Sequence, residues 1–338
     1  MKPLVIALPL LLGALVSCEK AKQAVEAVRE KVGGVTDPGA PLAPGGEISS
    51  GLASQVDSAA EGVRFRRDLP FPASLRIRLV ERQVFKDARV VSQSALGSEA
   101  AAYSGTWERL GEIEFEGSRF ELKVERCGEV LLVKEGEGQA GAEPSGDRPR
   151  LAVGEPMEGA RVEFERGPKG WILPVAKGAV EFRKRVLAQQ LGPALPVVLV
   201  SQGAKPRTQW FSSTRRWIGG DKFELEGESL ALLFPGAALG KVSLTYEESE
   251  ALDGHPCGRF AVEGDIALKG DVTFSGERSD REITIHSGKV WCSLLHPLVL
   301  REEYQTVQTI LRGGGGGPRT RIQGAIEHVV SRQWEPQD

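Results

Sequence analysis

From Gly62 onward, apolar and polar residues alternate with a period of two. Leu75, Ile77 and Leu79 alternate with Arg76 and Arg78. Ile113 and Phe115 alternate with Glu112, Glu114 and Glu116, and Phe120, Leu122 and Val124 with Glu121, Lys123 and Glu125. Successive side chains of a strand point to opposite faces, so the pattern predicts antiparallel strands with one buried and one wet face. Glu116-Gly117-Ser118-Arg119 is the predicted hairpin turn between the second and third of these runs. The same texture returns at Phe223 and Leu225, at Val242, Leu244 and Tyr246, at Val272 and Phe274, and at Ile283 and Ile285.

A helical period occurs in two places. Phe182, Val186, Leu187 and Leu191 share one face before Gly192-Pro193, which predicts one internal helix within 178–200. Ala21, Ala24, Val25, Val28 and Val32 form a stripe over 19–32 that Gly33 and Gly34 would stop, a short N-terminal helix. Val35 to Glu47 then carries Pro38, Pro41 and Pro44 among several glycines, a composition that extends a chain without folding it.

The first eighteen residues follow another logic. Met1-Lys2 is a short basic start, Leu4 to Leu15 is almost wholly apolar, and Leu15-Val16-Ser17-Cys18 follows. The run is too short for a finished membrane span and reads as a cleavable export signal. Its end resembles the lipobox of bacterial lipoproteins. That resemblance implies diacylglycerol on Cys18, cleavage before it and acylation of the new amino terminus, so the first expected partner is a membrane, reached through a lipid anchor. Glu19 stands where an aspartate is associated with inner-membrane retention, which points to the bacterial outer membrane, facing the periplasm. The expected organisation is a signal peptide at 1–17, a lipidated helix and tether at 18–47, a first β-rich half with the helix at 48–200, and a second β-rich half at 201–338.

Two related halves are suggested by an ungapped internal match. Trp107-Glu108-Arg109-Leu110-Gly111-Glu112-Ile113-Glu114-Phe115-Glu116-Gly117 aligns with Trp217-Ile218-Gly219-Gly220-Asp221-Lys222-Phe223-Glu224-Leu225-Glu226-Gly227. The alternation continues as Phe120, Leu122 and Val124 against Leu230, Leu232 and Phe234. A duplicated hairpin explains the match, and so does chance in a chain rich in Glu and Gly. The whole resembles uncharacterised β-rich envelope lipoproteins. In architecture it also resembles the half-barrels of periplasmic lipoprotein carriers, where a curved antiparallel sheet wraps over a helix. No residue motif carries the second likeness, so no functional residues are transferred. The fold expected is mainly β, an antiparallel curved sheet or half-barrels.

Composition narrows the function. Against 43 Lys plus Arg stand 46 Asp plus Glu, a net charge of −3, and a nucleic-acid partner is not expected without a basic excess. Gly313 to Gly317 ends in Pro318 and lacks the lysine and hydroxyl of a phosphate loop, so it reads as a hairpin or surface loop. Neither a Gly-x-Ser-x-Gly elbow nor a His-Glu-x-x-His motif occurs. Glu247-Glu248 and Glu302-Glu303 would point to opposite faces of a strand, and His286 and His328 read as satisfied strand residues. No catalytic residue, metal site or cofactor is assigned.

Two clusters remain as candidate sites. With Cys18 lipidated, His255-Pro256-Cys257 and Cys292-Ser293-Leu294-Leu295-His296 put two Cys and two His in one half, while Cys127 packs as a small hydrophobe. In an oxidising compartment the favoured reading is a Cys257–Cys292 disulfide closing a loop of about 35 residues. A thiolate–imidazole metal site, a Cys–His nucleophile and buried free thiols are the other readings. The second cluster interleaves Arg207, Trp210, Phe211, Arg215, Arg216 and Trp217, with Arg64-Phe65-Arg66-Arg67 of similar character. It is either a binding patch for an anionic envelope surface or a set of core anchors whose arginines face water or glutamates. The function expected is a noncatalytic binding or structural role toward an envelope component or protein partner. A carrier of an amphiphile in a curved sheet, and an envelope hydrolase, are the alternatives.

Overall fold

The computed structural model describes residues 42–66, 74–94, 97–116, 119–127, 130–134, 150–153, 158–167, 170–172, 214–234, 237–272, 278–296, 298–313 and 319–336. The expected helices over 19–32 and 178–200 lie outside these residues, as does the tether up to residue 41. The alternating runs become long strands: β3 (Ser74–Ser94), β4 (Gly97–Glu116), β5 (Arg119–Cys127), β11 (Ala237–Leu252), β12 (His255–Val272), β13 (Arg278–Ser293), β14 (Val299–Arg312) and β15 (Arg319–Pro336). Shorter strands are β1 (Asp57–Ala59), β2 (Gly62–Arg64), β6 (Val130–Lys134), β7 (Arg150–Val153), β8 (Arg161–Gly167), β9 (Gly170–Ile172) and β10 (Lys222–Glu226). One helical turn, α1 (Ser50–Ala53), precedes β1.

Apart from the β1–β2 hairpin, these strands form one 13-stranded antiparallel sheet. Its order is β10-β11-β12-β13-β14-β15-β3-β4-β5-β8-β9, with β6 paired to β4 and β7 to β6. The predicted turn at 116–119 is present: Glu116 pairs with Arg119 as β4 returns into β5. Around the glycine run, β14 returns into β15 with Arg312 opposite Thr320. The last strand then pairs with the first long one, Arg319–Pro336 against Leu75–Gln93, so both sequence halves enter a single sheet. Bulges curve and twist it. At one of them β15 and β3 approach so closely that a Cβ on Gly324 would lie 2.7 Å from the Ala88 Cα.

The internal match does not produce two equivalent hairpins. Trp107 to Glu116 lies within β4, whereas Trp217 forms an isolated bridge with Val63 ahead of β10. Beyond Gly227, Leu230 and Leu232 belong to a 3-10 turn, Gly227–Leu232, where the counterpart after Gly117 is strand β5. The Ser229 hydroxyl closes this turn, accepting the Glu226 N–H and donating to the Glu226 carbonyl, both at 2.7 Å. That places Leu230 and Leu233 in the core instead of in a ladder.

Alternation sets the two faces. Val242, Leu244 and Tyr246 of β11, Phe260 and Val262 of β12, Val290 and Cys292 of β13 and Tyr304 of β14 form a buried inner face. Val63, Phe65, Trp217, Leu230 and Leu233 close over it. Lys241, Glu263, Asp265 and Lys289 of the same strands stand exposed on the outer face. Glu302 and Glu303 do part to opposite sides: Glu302 is buried, and Glu303 accepts Arg301 beside it. Glu247 and Glu248 do not part. A bulge, with Tyr246 opposite Phe260 but Glu248 opposite Arg259, inserts Glu247 as an extra residue. Both carboxylates then reach Arg259, at 2.6 and 2.5 Å, joined by Glu250 at 2.7 Å.

Candidate functional site

Cys18, Arg207 and Trp210 lie outside the described residues. The described members of the aromatic and basic cluster form no ligand-facing patch. Trp217 is 1% exposed. It is fixed by two backbone hydrogen bonds with Val63, N–H to carbonyl in each direction at 2.8 and 3.0 Å. Its ring meets Phe260 edge-on at 5.1 Å and Phe65 at 6.3 Å, and Phe65 stacks on Phe260 at 5.7 Å. Gly62 permits the Val63–Trp217 approach: its φ is +112° and a Cβ there would collide with the Trp217 carbonyl.

The arginines secure this core from outside. The Arg215 guanidinium lies 3.6 Å from the centre of the Trp217 ring. Burial lowers its pKa. Arg216 donates to Asp57 at 2.7 Å and to the Gly62 carbonyl at 3.1 Å, while Arg64 donates to the other Asp57 oxygen at 2.7 Å. These bonds, that from Arg216 foremost, hold the Asp57 carboxyl below its usual range.

The cysteine expectation is corrected in the same way. Cys257 and Cys292 are both free and both buried. In the β12–β13 ladder Cys257 pairs with Ser293 and Gly258 with Cys292. One register step separates the two thiols, so they project to opposite faces and cannot reach disulfide geometry. Burial raises both thiol pKa values, which disfavours the thiolate that a nucleophile or metal ligand needs. Among the described residues no group of three or more His, Cys, Asp or Glu is placed to hold a metal ion.

Ser293 and His255 meet at 2.7 Å between Oγ and Nε2. The same Oγ accepts the backbone N–H groups of Leu295 and His296, each at 3.1 Å. With both lone pairs engaged, the hydroxyl donates its proton to His255 Nε2 and thereby closes the tight turn into β14. Burial pushes both imidazoles down to about 4, with His296 adding to the effect on His255, so both are neutral near pH 7.

The inner face also holds an ionic row. Glu302, Val330, Glu81 and Arg109 follow one another across β14, β15, β3 and β4. Arg109 pairs with Glu81, with side chains 2% and 6% exposed. His328 bonds the Glu81 carboxylate at 2.9 Å. Arg332 donates to Glu302 at 2.7 Å, and the Tyr304 hydroxyl donates to the other Glu302 oxygen at 3.3 Å. Burial alone would raise the Glu81 pKa, but Arg109 and His328 outweigh it and hold the carboxyl well below its ordinary range. The sequence carried a signal for this row: Glu81, Arg109, Glu302 and Arg332 occupy the inward phase shared with Leu79, Trp107, Tyr304 and Val330.

At one end of the sheet an open cleft of about 790 Å³ lies among the ends of β3, β12, β13, β14 and β15. Among the described residues, Lys269, Arg278, Arg312, Arg319 and Arg321 line it beside one carboxylate, Asp280. Nothing in the linear pattern joined these residues, which come from separate strand ends.

The chain matches no family model and no curated protein sequence. Among solved structures it is similar to a lipovitellin chain described for lipid–protein interactions, with a TM-score of 0.36 and 9% identity, covering 79% of this chain and 26% of that one. It thus spans about a quarter of that chain. It is also similar to a putative outer membrane lipoprotein-sorting protein domain from Vibrio parahaemolyticus, with a TM-score of 0.11 and 9% identity, covering 77% of this chain and 85% of that one. Overlaps this loose carry no functional argument.

Proposed function

We propose that the protein is a lipid-anchored bacterial envelope protein with a noncatalytic binding or structural role, held on the membrane through Cys18 and offering the outer face of its sheet to another envelope component. One observation carries the reading. Over β10 to β14 the inner face is filled by the chain's own Phe65, Trp217, Leu230 and Leu233. The charges of that face are satisfied by one another, Glu81 with Arg109 and Glu302 with Arg332. Over these strands, among the described residues, the outer surface is what remains available to a partner. Leu15-Val16-Ser17-Cys18 supports the anchor, and Glu19 supports the outer membrane, facing the periplasm. An amphiphile carrier would need open apolar volume over these strands, where those four side chains lie.

Mass spectrometry of the protein extracted from native membranes tests both parts. The expected result is a mature chain starting at Cys18 with the mass of attached acyl groups and no stoichiometric extracted lipid. An unmodified, freely soluble chain would overturn the anchor, and a retained amphiphile in one-to-one amount would overturn the noncarrier role.

A further inference from the structure

The basic cleft concentrates charge that the chain as a whole lacks. Among its described lining residues five cations face one carboxylate, in a protein whose net charge is −3. Asp280 and Glu282 attend to Lys269, at 4.0 and 3.2 Å, and Asp280 also accepts the Gly270 N–H at 2.8 Å. Arg278, Arg319 and Arg321 are exposed and have no ion pair among the described residues. Elsewhere on the sheet Arg76 pairs with Glu112, Arg82 with Glu108, Lys86 with Glu327 and Lys241 with Glu224, and the exposed Arg89, Lys123 and Lys289 stand apart from one another instead of gathering at one cleft. Unpaired guanidiniums gathered at a cleft repel one another, and an anion is what relieves that repulsion.

Two features favour an anion presented on a lipid surface. In register, Val91, Arg321, Leu311 and Asp280 form one outer-face row. Leu311 is 41% exposed there, an apolar side chain left in water beside arginines at hairpin ends. A cationic rim with an apolar residue at its centre suits a membrane interface, where guanidiniums take phosphate oxygens and leucine enters the acyl boundary. The first described residue after the tether lies away from the cleft. Leu42 is held at the other end of the strands, its N–H bonded to Ser331 Oγ at 2.9 Å and its carbonyl accepting Arg301. Along β14, Arg301 and Arg312 are separated by about 36 Å.

We propose that this cleft binds the phosphate headgroups of an anionic lipid bilayer, through Arg278, Arg319 and Arg321 with Leu311 entering the interface. The proposal goes beyond the Cys18 anchor and does not rest on it. The full chain carrying Cys18→Ser is sedimented with vesicles of phosphatidylglycerol and phosphatidylethanolamine in equal parts, and separately with phosphatidylcholine vesicles. The expected result is preferential partitioning onto the anionic vesicles. Each arginine contributes about fivefold, so Arg278→Gln, Arg319→Gln and Arg321→Gln together remove about a hundredfold. Raising the salt to about 1 M, where the screening length falls to about 3 Å, should remove a similar share. Arg82→Gln, an exposed change outside the cleft, should leave the preference intact. Equal partitioning onto both vesicle types, a preference insensitive to salt, or a preference that a folded triple variant retains overturns the proposal. Pyrophosphate binding seen by calorimetry and lost in the triple variant, without any vesicle preference, assigns the cleft to a soluble phosphate and also overturns it. Should the triple variant fail to fold, the salt dependence of the Cys18→Ser chain decides the matter.

Discussion

Arg332 of β15 donates a hydrogen bond to Glu302 of β14 at 2.7 Å, with the guanidinium 1% and the carboxylate 9% exposed. Such a pair adds little net stability over an apolar pair, because desolvation offsets attraction, but each charge depends on the other. Arg332→Met alone should therefore destabilise by about 3–5 kcal/mol. Arg332→Met combined with Glu302→Leu should recover most of that loss, apart from the Tyr304 hydroxyl left without its acceptor. Urea denaturation midpoints of the single and double variants check the expectation; equal losses in the two would show that the charges are not coupled.

The cysteines give a chemical readout of register. In a chain carrying Cys18→Ser and Cys127→Ser, Cys257 and Cys292 should resist a thiol reagent while the protein is folded. Two thiols per chain should appear on unfolding, with no reductant needed. Both thiols are buried and one register step apart, on opposite faces. Recovery of a bonded 257–292 peptide pair after digestion would contradict the β12–β13 register.

Acidification should loosen the turn between β13 and β14. His255 and His296 are held neutral with pKa values lowered to about 4, from an ordinary value of 6.5. The unfolded chain takes up protons first, so stability is complete above pH 6.5 and is lost as the pH falls toward 4. The loss is up to about 3 kcal/mol for His255 and smaller for His296, which solvent screens more. Glu81 stays ionised through this window because its pKa lies well below the ordinary range. Thermal unfolding of the protein and of a His255→Gln, His296→Gln variant between pH 7 and pH 4 separates these contributions; an identical pH slope in both would rule out the imidazoles.

Trp217 and Arg215 should behave very differently on substitution. Trp217→Ala removes the ring that touches Phe260, Phe65 and Tyr246, and should cost about 3–5 kcal/mol. Arg215→Gln removes only a half-buried cation from the ring face, a change of about 1 kcal/mol. Denaturant melts of the two variants test this, and comparable small effects would return Trp217 to the surface.

Much of the fold was legible in the linear pattern. Alternation is a local property, since neighbouring side chains of a strand must face opposite sides whatever the strand pairs with. The strand runs at 75–79, 113–116, 120–124 and 242–246 were readable for that reason, and so was the return at Glu116 and Arg119. The reading of Trp217 as a core anchor with covering arginines was available from the residue types, because a large ring flanked by long cationic side chains solves burial in that way. The two matched segments fold differently: Leu230 and Leu232 keep the apolar spacing of a strand, yet Ser229 closes a 3-10 turn on Glu226.

Pairing, register and convergence required the three-dimensional ladder. Closing a long loop costs little more than closing a short one, so sequence separation says almost nothing about which strands meet. Thus β15 lies against β3, and Glu302 and Glu81 share a row although more than half the chain separates them. A one-residue step, invisible in spacing, turns Cys257 away from Cys292, and one inserted residue at Glu247 gathers three carboxylates on Arg259. The cleft arises from the same cause: its arginines are scattered along the sequence, and they become neighbours because antiparallel strands bring every second turn to the same end of the sheet.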